Sequence, residues 1–203
     1  MAGVRQQQRE RTKRALVAAA STAFAERGFG ATSLRSVVVE ADVTKGAFYH
    51  HFESKEALFE AVVRNQQTEV AMAVSVAAGA TTDGGWDSLL EGCRAYMSAA
   101  TAPGRRQILL VDGPAVLGLS RWRQLDDEGP GRLLQQGLAE LQAAGLLSDE
   151  PVEPLARLLS GAMNEAALWA CDGDPGDRLQ RADAALRHLI DGLRRLSEAP
   201  RPG

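Results

Sequence analysis

A short run near residue 50 gathers groups that can read nucleic acid: Lys45, Gly46, Ala47, Tyr49, His50 and His51. On a helix turning about 100° per residue, Phe48 and Phe52 share one side, facing a core. Gly46, Ala47 and His50 then face the other way, with Tyr49 on the flank. Small residues at 46 and 47 let a helix backbone sink into a major groove. Lys45 can donate to guanine O6 and N7, and the Ala47 methyl can meet a thymine methyl. Tyr49, the two histidines and Lys55 can reach phosphates, the last from the positive end of the following helix. The same run of aromatics also fits plain core packing, and wheel geometry leaves both open. The paired histidines raise metal binding as well, but they point about 100° apart and no ligand set is completed around them.

The elements that must position these groups are helical. Leu16, Ala20, Ala23 and Phe24 recur at i, i+4, i+7 and i+8, the apolar stripe of a helix over residues 10–27 that Gly28 should end. Thr32 or Ser33 caps a second, shorter helix burying Leu34, Val37, Val38 and Ala41. Asp42 and Val43 make a tight turn. Thr44 caps the helix carrying the candidate residues, expected over residues 45–51, and Ser54 caps a long one over residues 55–78. Further helices are predicted over residues 86–100, 105–110, 114–119, 131–144, 153–171 and 176–197. No alternating run bounded by hairpin turns occurs, so the fold class is all-α.

Residues 32–62 have the build of a helix-turn-helix and resemble the DNA-binding domain of the tetracycline-repressor (TetR) family. The resemblance rests on Lys45-Gly46-Ala47-Phe48-Tyr49-His50-His51-Phe52, then Ser54-Lys55-Glu56 and Leu58-Phe59. Phe24, Gly28 and Phe29 match the family's entry, and Ala31-Thr32-Ser33 its lead-in; Val37-Val38-Val39 replaces a more usual Ile-Ala pair. The match implies phosphate contacts from Thr32, Ser33 and Arg35. It places Thr44, Lys45, Gly46 and Ala47 in the groove, and Tyr49, His51 and Lys55 on the backbone, with His50 between. It implies a three-helix DNA-binding domain at 12–62, behind a basic flexible arm at 1–11. A long helix joins it to a helical dimerisation and effector domain at 63–197, with a disordered tail at 198–203.

Composition agrees with such a division of labour. Of 203 residues, 45% are apolar and 24% charged. The first 60 residues carry a balance of +2 and the remainder −5, within a net charge of −3. A basic end on an acidic body suits a protein with one face toward nucleic acid; a solubilising tail would look the same. Cys93 and Cys171 stand far apart in apolar helical patterns, as reduced thiols of a cytoplasmic protein do. No apolar run approaches the roughly 20 residues of a membrane span, and the basic N-terminus has no apolar stretch behind it like that of a secretory signal. No phosphate loop, metal-ligand set, cofactor motif or nucleophile elbow is present, so no enzyme activity and no cofactor are expected.

The C-terminal half shows a heptad-like seam: Leu179, Ala182, Leu186, Leu189, Leu193 and Leu196. Leu155, Leu158, Leu159, Ala162, Met163, Ala166 and Trp169 line the preceding helix, with Gly161 allowing close approach. These stripes could pair two subunits through a four-helix homodimer interface, or pack within one. For an unidentified small-molecule effector, the candidate ligand residues are Trp86, Tyr96, Met97, Trp122, Glu165 and Trp169. Glu165 is the expected polar anchor on an apolar face. Residues 111–122, broken by Gly113, Pro114 and Gly118, suit a pocket mouth.

Overall fold

A computed structural model describes residues 2–82, 84–149, 151–171 and 175–198, and among these there is no strand. In chain order the helices are α1 (Ala2–Ala31), α2 (Leu34–Glu40), α3 (Lys45–Tyr49), α4 (Lys55–Gly79), α5 (Gly85–Ala100), α6 (Gly113–Leu117), α7 (Leu119–Asp127), α8 (Pro130–Ala143), α9 (Val152–Ala170) and α10 (Pro175–Glu198). A π-helical stretch, Gln107–Asp112, leads into α6. The contacts divide the chain into two units, residues 1–66 with 103–125, and residues 67–102 with 126–203. The all-α expectation holds, while three local readings change. Residues 2–11 are helical and extend α1, with Gln6 and Arg14 both turned onto Glu10. The helix expected at 105–110 is the π-helical stretch, and α7 was not foreseen. The remainder of the predicted tail, 199–203, lies outside the described residues.

The first unit is built around Leu16, Ala20, Ala23 and Phe24 of α1, all fully buried. Val37 and Val38 of α2, Phe48 of α3, and Leu58, Phe59, Val62 and Val63 of α4 join them. The rings of Phe24, Phe29 and Phe59 pack with centroids 5.0 to 5.6 Å apart. Each such side chain contributes about 1.5–3 kcal/mol on burial. Gly28 ends the straight part of α1 with φ +74°. The carbonyls left open there are claimed from outside the helix. The Thr32 hydroxyl donates toward the carbonyls of Ala23 (3.1 Å) and Gly28 (2.8 Å). The Lys55 ammonium donates to those of Phe29 (2.8 Å) and Thr32 (3.0 Å).

Residues 103–125 belong to this unit rather than with 63–197, and the contacts say why. At Gly104, φ is +78° and a Cβ would stand 2.4 Å from the Ala25 methyl, so only glycine lets the chain lie on α1. The Asp112 carboxylate accepts from the Phe29 amide at 2.7 Å and the Gln107 side chain at 3.0 Å. The Trp122 indole donates to the Leu109 carbonyl at 2.6 Å.

In the second unit, α5 packs against α8, α9 and α10, and α9 also meets α8 and α10. The apolar stripes interlock: Leu89, Leu90, Cys93 and Met97 from α5, Ala156, Leu159, Met163 and Ala167 from α9, and Ala182, Leu186 and Ile190 from α10. Arg94 clasps Asp183 with two bonds of 2.5 and 2.8 Å and also reaches Glu91, fixing α5 to α10. This splits the predicted seam. Ala182 and Leu186 pack inside the subunit, whereas Leu189 and Leu196 are 52% and 76% exposed. On α9, Leu158 (72%) and Trp169 (40%) also face out, on the side that bears Gly161 and Ala162.

Candidate nucleic-acid interface and ligand cavity

The α2–turn–α3 segment is held by caps at both helices. Ser33 accepts from the Ser36 amide at 3.0 Å and Thr44 from the Ala47 amide at 3.1 Å. Between them Asp42 takes φ +52°, turning the chain sharply. Phe48 is fully buried against Phe52, with centroids 5.8 Å apart, which fixes the rotation of α3. The opposite side is therefore presented: Thr44, Lys45, Gly46, Tyr49 and His50 are exposed, and Ala47 is half-buried. The Lys45 ammonium lies 6.0 Å from the centre of the Tyr49 ring. A Cβ added at Gly46 would meet only the Thr44 hydroxyl, at 3.9 Å, so nothing within the subunit demands glycine there.

Arg35 and Ser33 are exposed on α2. His51 is half-buried, and its pKa lies below the ordinary histidine value. Burial is the main cause, followed by the charge of Arg9; Glu10 opposes the shift, while His50 and Lys13 add to it. The charges of Arg9 and Lys13 on α1 are thus felt at His51, beside α3. Two residues expected at phosphates are committed elsewhere. Thr32 is 1% exposed with its hydroxyl spent on α1. Lys55 is half-buried, its ammonium on two carbonyls and 3.9 Å from the centre of the Phe29 ring. Both buttress the segment from behind.

The second unit contains a cavity of about 500 Å³ between α4, α5, α8 and α9. Val74, Leu89, Leu134, Leu141 and Met163 supply apolar wall, and Cys93, Tyr96, Asp126 and Ser160 the inner polar atoms. Burial pushes the Cys93 thiol up to about 12, so it stays protonated, and also raises Tyr96 well above the ordinary phenol. The Tyr96 hydroxyl is hydrogen-bonded to the Asn164 side chain. Of the six residues expected at a ligand, only Tyr96 lines this cavity. Trp86 and Met97 are core of the second unit and Trp122 core of the first. Glu165 is exposed on the outward face of α9 with Leu158 and Trp169, away from the cavity lining, and Trp169 lies under the Arg178 guanidinium at 5.1 Å. Asp126 was missed because α7 was missed. The signal was there: on a helix, Asp126 follows the apolar Trp122 and Leu125 on one stripe.

Two families account for this arrangement. Residues 16–62 match bacterial regulatory proteins of the tetR family, and residues 86–193 match the tetracyclin repressor-like C-terminal domain. The chain belongs to the TetR family. A TetR-family transcriptional regulator from Pectobacterium atrosepticum has the same fold over nearly its whole length. It is 32% identical with a TM-score of 0.77, covering 96% of this chain and 98% of that one. Among curated TetR-like relatives, the transposon Tn10 TetC protein of Escherichia coli is 29% identical over 57% of this chain and 56% of its own. The KstR2 transcriptional repressor of Mycolicibacterium smegmatis is 44% identical over 25% of this chain and 24% of its own. The match thus spans about half or less of these curated relatives. RolR, whose structure holds the ligand resorcinol, shares the fold at 20% identity and a TM-score of 0.72, over 98% of both chains. This TetR-family protein is a transcriptional regulator with a helix-turn-helix, and no helix among the described residues is long and apolar enough to cross a membrane.

Proposed function

We propose that this regulator is a cytoplasmic homodimeric repressor that holds a palindromic operator through α3 and is released by a small molecule in the second unit. The observation that carries it is the orientation of α3: Phe48 anchors it while Lys45, Gly46, Tyr49 and His50 stand outward. Lys45, Gly46 and Ala47 meet base edges with Thr44 beside them, and Ser33, Arg35, Tyr49, His50 and His51 hold the backbone. KstR2, similar over 25% of this chain, is itself described as a repressor. The exposed Leu158, Trp169, Leu189 and Leu196, beside small residues on α9, supply an isologous apolar face. A palindromic operator asks for two recognition helices roughly 34 Å apart, one turn of DNA.

A cavity of about 500 Å³ favours a small-molecule signal over control by a protein partner, which needs no internal space. RolR, with resorcinol bound, shows that this fold can hold such a ligand. The chain passes from one unit to the other along α4, at Gln66–Gln67. A ligand that prefers one setting of α4 shifts operator affinity by its differential binding, typically about 1–3 kcal/mol.

The decisive experiment is binding of the purified protein to its own upstream DNA, followed by fluorescence anisotropy across a salt series. Nanomolar affinity falling steeply with salt is expected. Tyr49→Ala should weaken it at least tenfold with the dimer intact. Gly46→Ala should leave unfolding within about 0.5 kcal/mol of the parent yet weaken operator binding, because the added methyl meets only DNA. Leu189→Asp should yield monomers in light scattering and lose the operator with them. Monomer-free Leu189→Asp would refute the interface, and no binding at low salt would refute the reading as a whole.

A further inference from the structure

Among the described residues the cavity has no cationic side chain, and one of its groups is a buried carboxylate. Asp126 is 5% exposed. One of its oxygens accepts from the Gln67 amide and the other from the Ser160 hydroxyl, each at 3.5 Å, the outer limit of a hydrogen bond. Its neighbour Asp127 takes the nearby guanidinium instead, Arg157 holding it with bonds of 2.9 and 2.7 Å. Behind Asp126, the Gln67 side-chain oxygen is buried with no hydrogen-bond partner, in a residue 3% exposed. Gly131 closes the other side, where a Cβ would stand 2.9 Å from the carboxylate. Among the described residues no lysine, arginine or histidine lines the cavity, and a second acid, Glu140, stands at its margin. Two of the lining hydroxyls donate elsewhere, Ser88 to the Ala78 carbonyl and Tyr96 to Asn164, and Ser75 is exposed.

A carboxylate this deep in apolar surroundings is costly unless something donates to it strongly. We propose that the cavity takes a compact apolar amine whose ammonium is held by Asp126, its hydrocarbon part lying against Leu89, Leu134, Leu141 and Met163. This rests on the reading of the cavity as the effector site and names the ligand's chemical class. Three donors on one cationic nitrogen answer the underfilled carboxylate. An alcohol offers one donor and no charge, and an anion meets Asp126 and Glu140 with nothing to offset them. The groups facing Asp126 are Asp127, which holds its proton on, and Ser160, Arg157 and Gln67, which favour its charge; Tyr96 stands opposite. Burial outweighs these and sets its pKa at about 6. Amine binding therefore weakens as the medium is acidified through that value.

Calorimetric titration of the full-length dimer with 4-phenylbutylamine, 4-phenylbutan-1-ol and 4-phenylbutanoate tests this. At about pH 7.5, where the amine is charged, it should bind at least tenfold tighter than the alcohol, and the carboxylate weakest. Acidifying to about pH 5 should weaken the amine roughly tenfold and leave the alcohol unchanged. Asp126→Asn should erase the preference for the amine while keeping the alcohol's affinity, which also reports that the cavity is intact. Glu140→Gln should retain the preference. The proposal is overturned if the carboxylate equals the amine, if Asp126→Asn keeps the preference, if Glu140→Gln loses it, or if the amine fails to bind at millimolar concentration. Operator release separates the two claims. An amine that binds as described without releasing DNA sinks the effector reading alone, and a carboxylate that binds and releases it sinks the ligand class alone.

Discussion

Gln66 and Gln67 are neighbours on α4, and they sit in two differently finished interiors. Gln66, in the first unit, donates to the Ser21 hydroxyl at 3.2 Å and accepts from Arg105 at 2.6 Å. Gln67, in the second, makes one long bond to Asp126 and leaves its oxygen without a partner. The contrast extends outward. In the first unit, Thr32, Lys55 and Asp112 each have short bonds to backbone groups. In the second, the hydrogen bonds to Asp126 among the described residues are both 3.5 Å. A region that must hold a short helix at one rotation gains from satisfied buried groups, since an unpaired one costs about 1–3 kcal/mol. A region that waits for a ligand can leave such groups open, and the ligand's affinity then draws on that cost.

Substitutions that open the first interior or close the second test this contrast. The largest effect is expected at Lys55. Lys55→Met strips two carbonyls and one ring of their cation, and should cost about 2–4 kcal/mol in urea unfolding. Unchanged stability with weakened DNA binding and a shallower salt slope would return Lys55 to the phosphates. Next is Asp126→Asn, which should stabilise the ligand-free protein by about 1–3 kcal/mol near neutral pH. The sign follows from the raised pKa. Between the ordinary carboxylate value of 3.8 and about 6, the folded state keeps a proton that the unfolded chain has lost. Stability from this group is therefore present on the acid side and falls as pH rises through that window. The Asn variant should lack that slope, and a parent protein whose unfolding free energy is flat between pH 4 and 6 would show that Asp126 is not the buried acid described here. The smallest effect is Thr32→Val, expected to cost about 1–2 kcal/mol through the loss of one hydroxyl from the end of α1. A neutral result would mean that water or Lys55 alone satisfies those carbonyls.

Much of the first unit was legible because its signals are local. A cap, an apolar stripe and a glycine lie within a few residues of what they organise, so α2, α3 and the inward turn of Phe48 followed from spacing. The bonds of Thr32 and Lys55 were not legible because their partners, the open carbonyls at the end of α1, are defined by where that helix breaks and not by the types of neighbouring residues. The seam on α10 was legible as apolar but not as divided: Ala182 and Leu186 against Leu189 and Leu196 differ only in which neighbours reach them. Most of the large residues expected as ligand wall are core for a similar reason. Trp86, Met97 and Trp122 are large and apolar, and cores and cavities use the same residue types.

The sequence by itself determined an all-helical chain, the capped helix pair at Ser33 and Thr44, and the outward set Lys45, Gly46, Tyr49 and His50, because period, caps and φ preferences act over one or two turns. Only the tertiary structure decided that residues 103–125 close the first unit, that Lys55 props α1, and that Asp126 ends up buried beside a glutamine whose oxygen has no partner. Those outcomes depend on groups brought together from distant parts of the chain, and burial, which sets the cost of each polar atom, exists only once they have met.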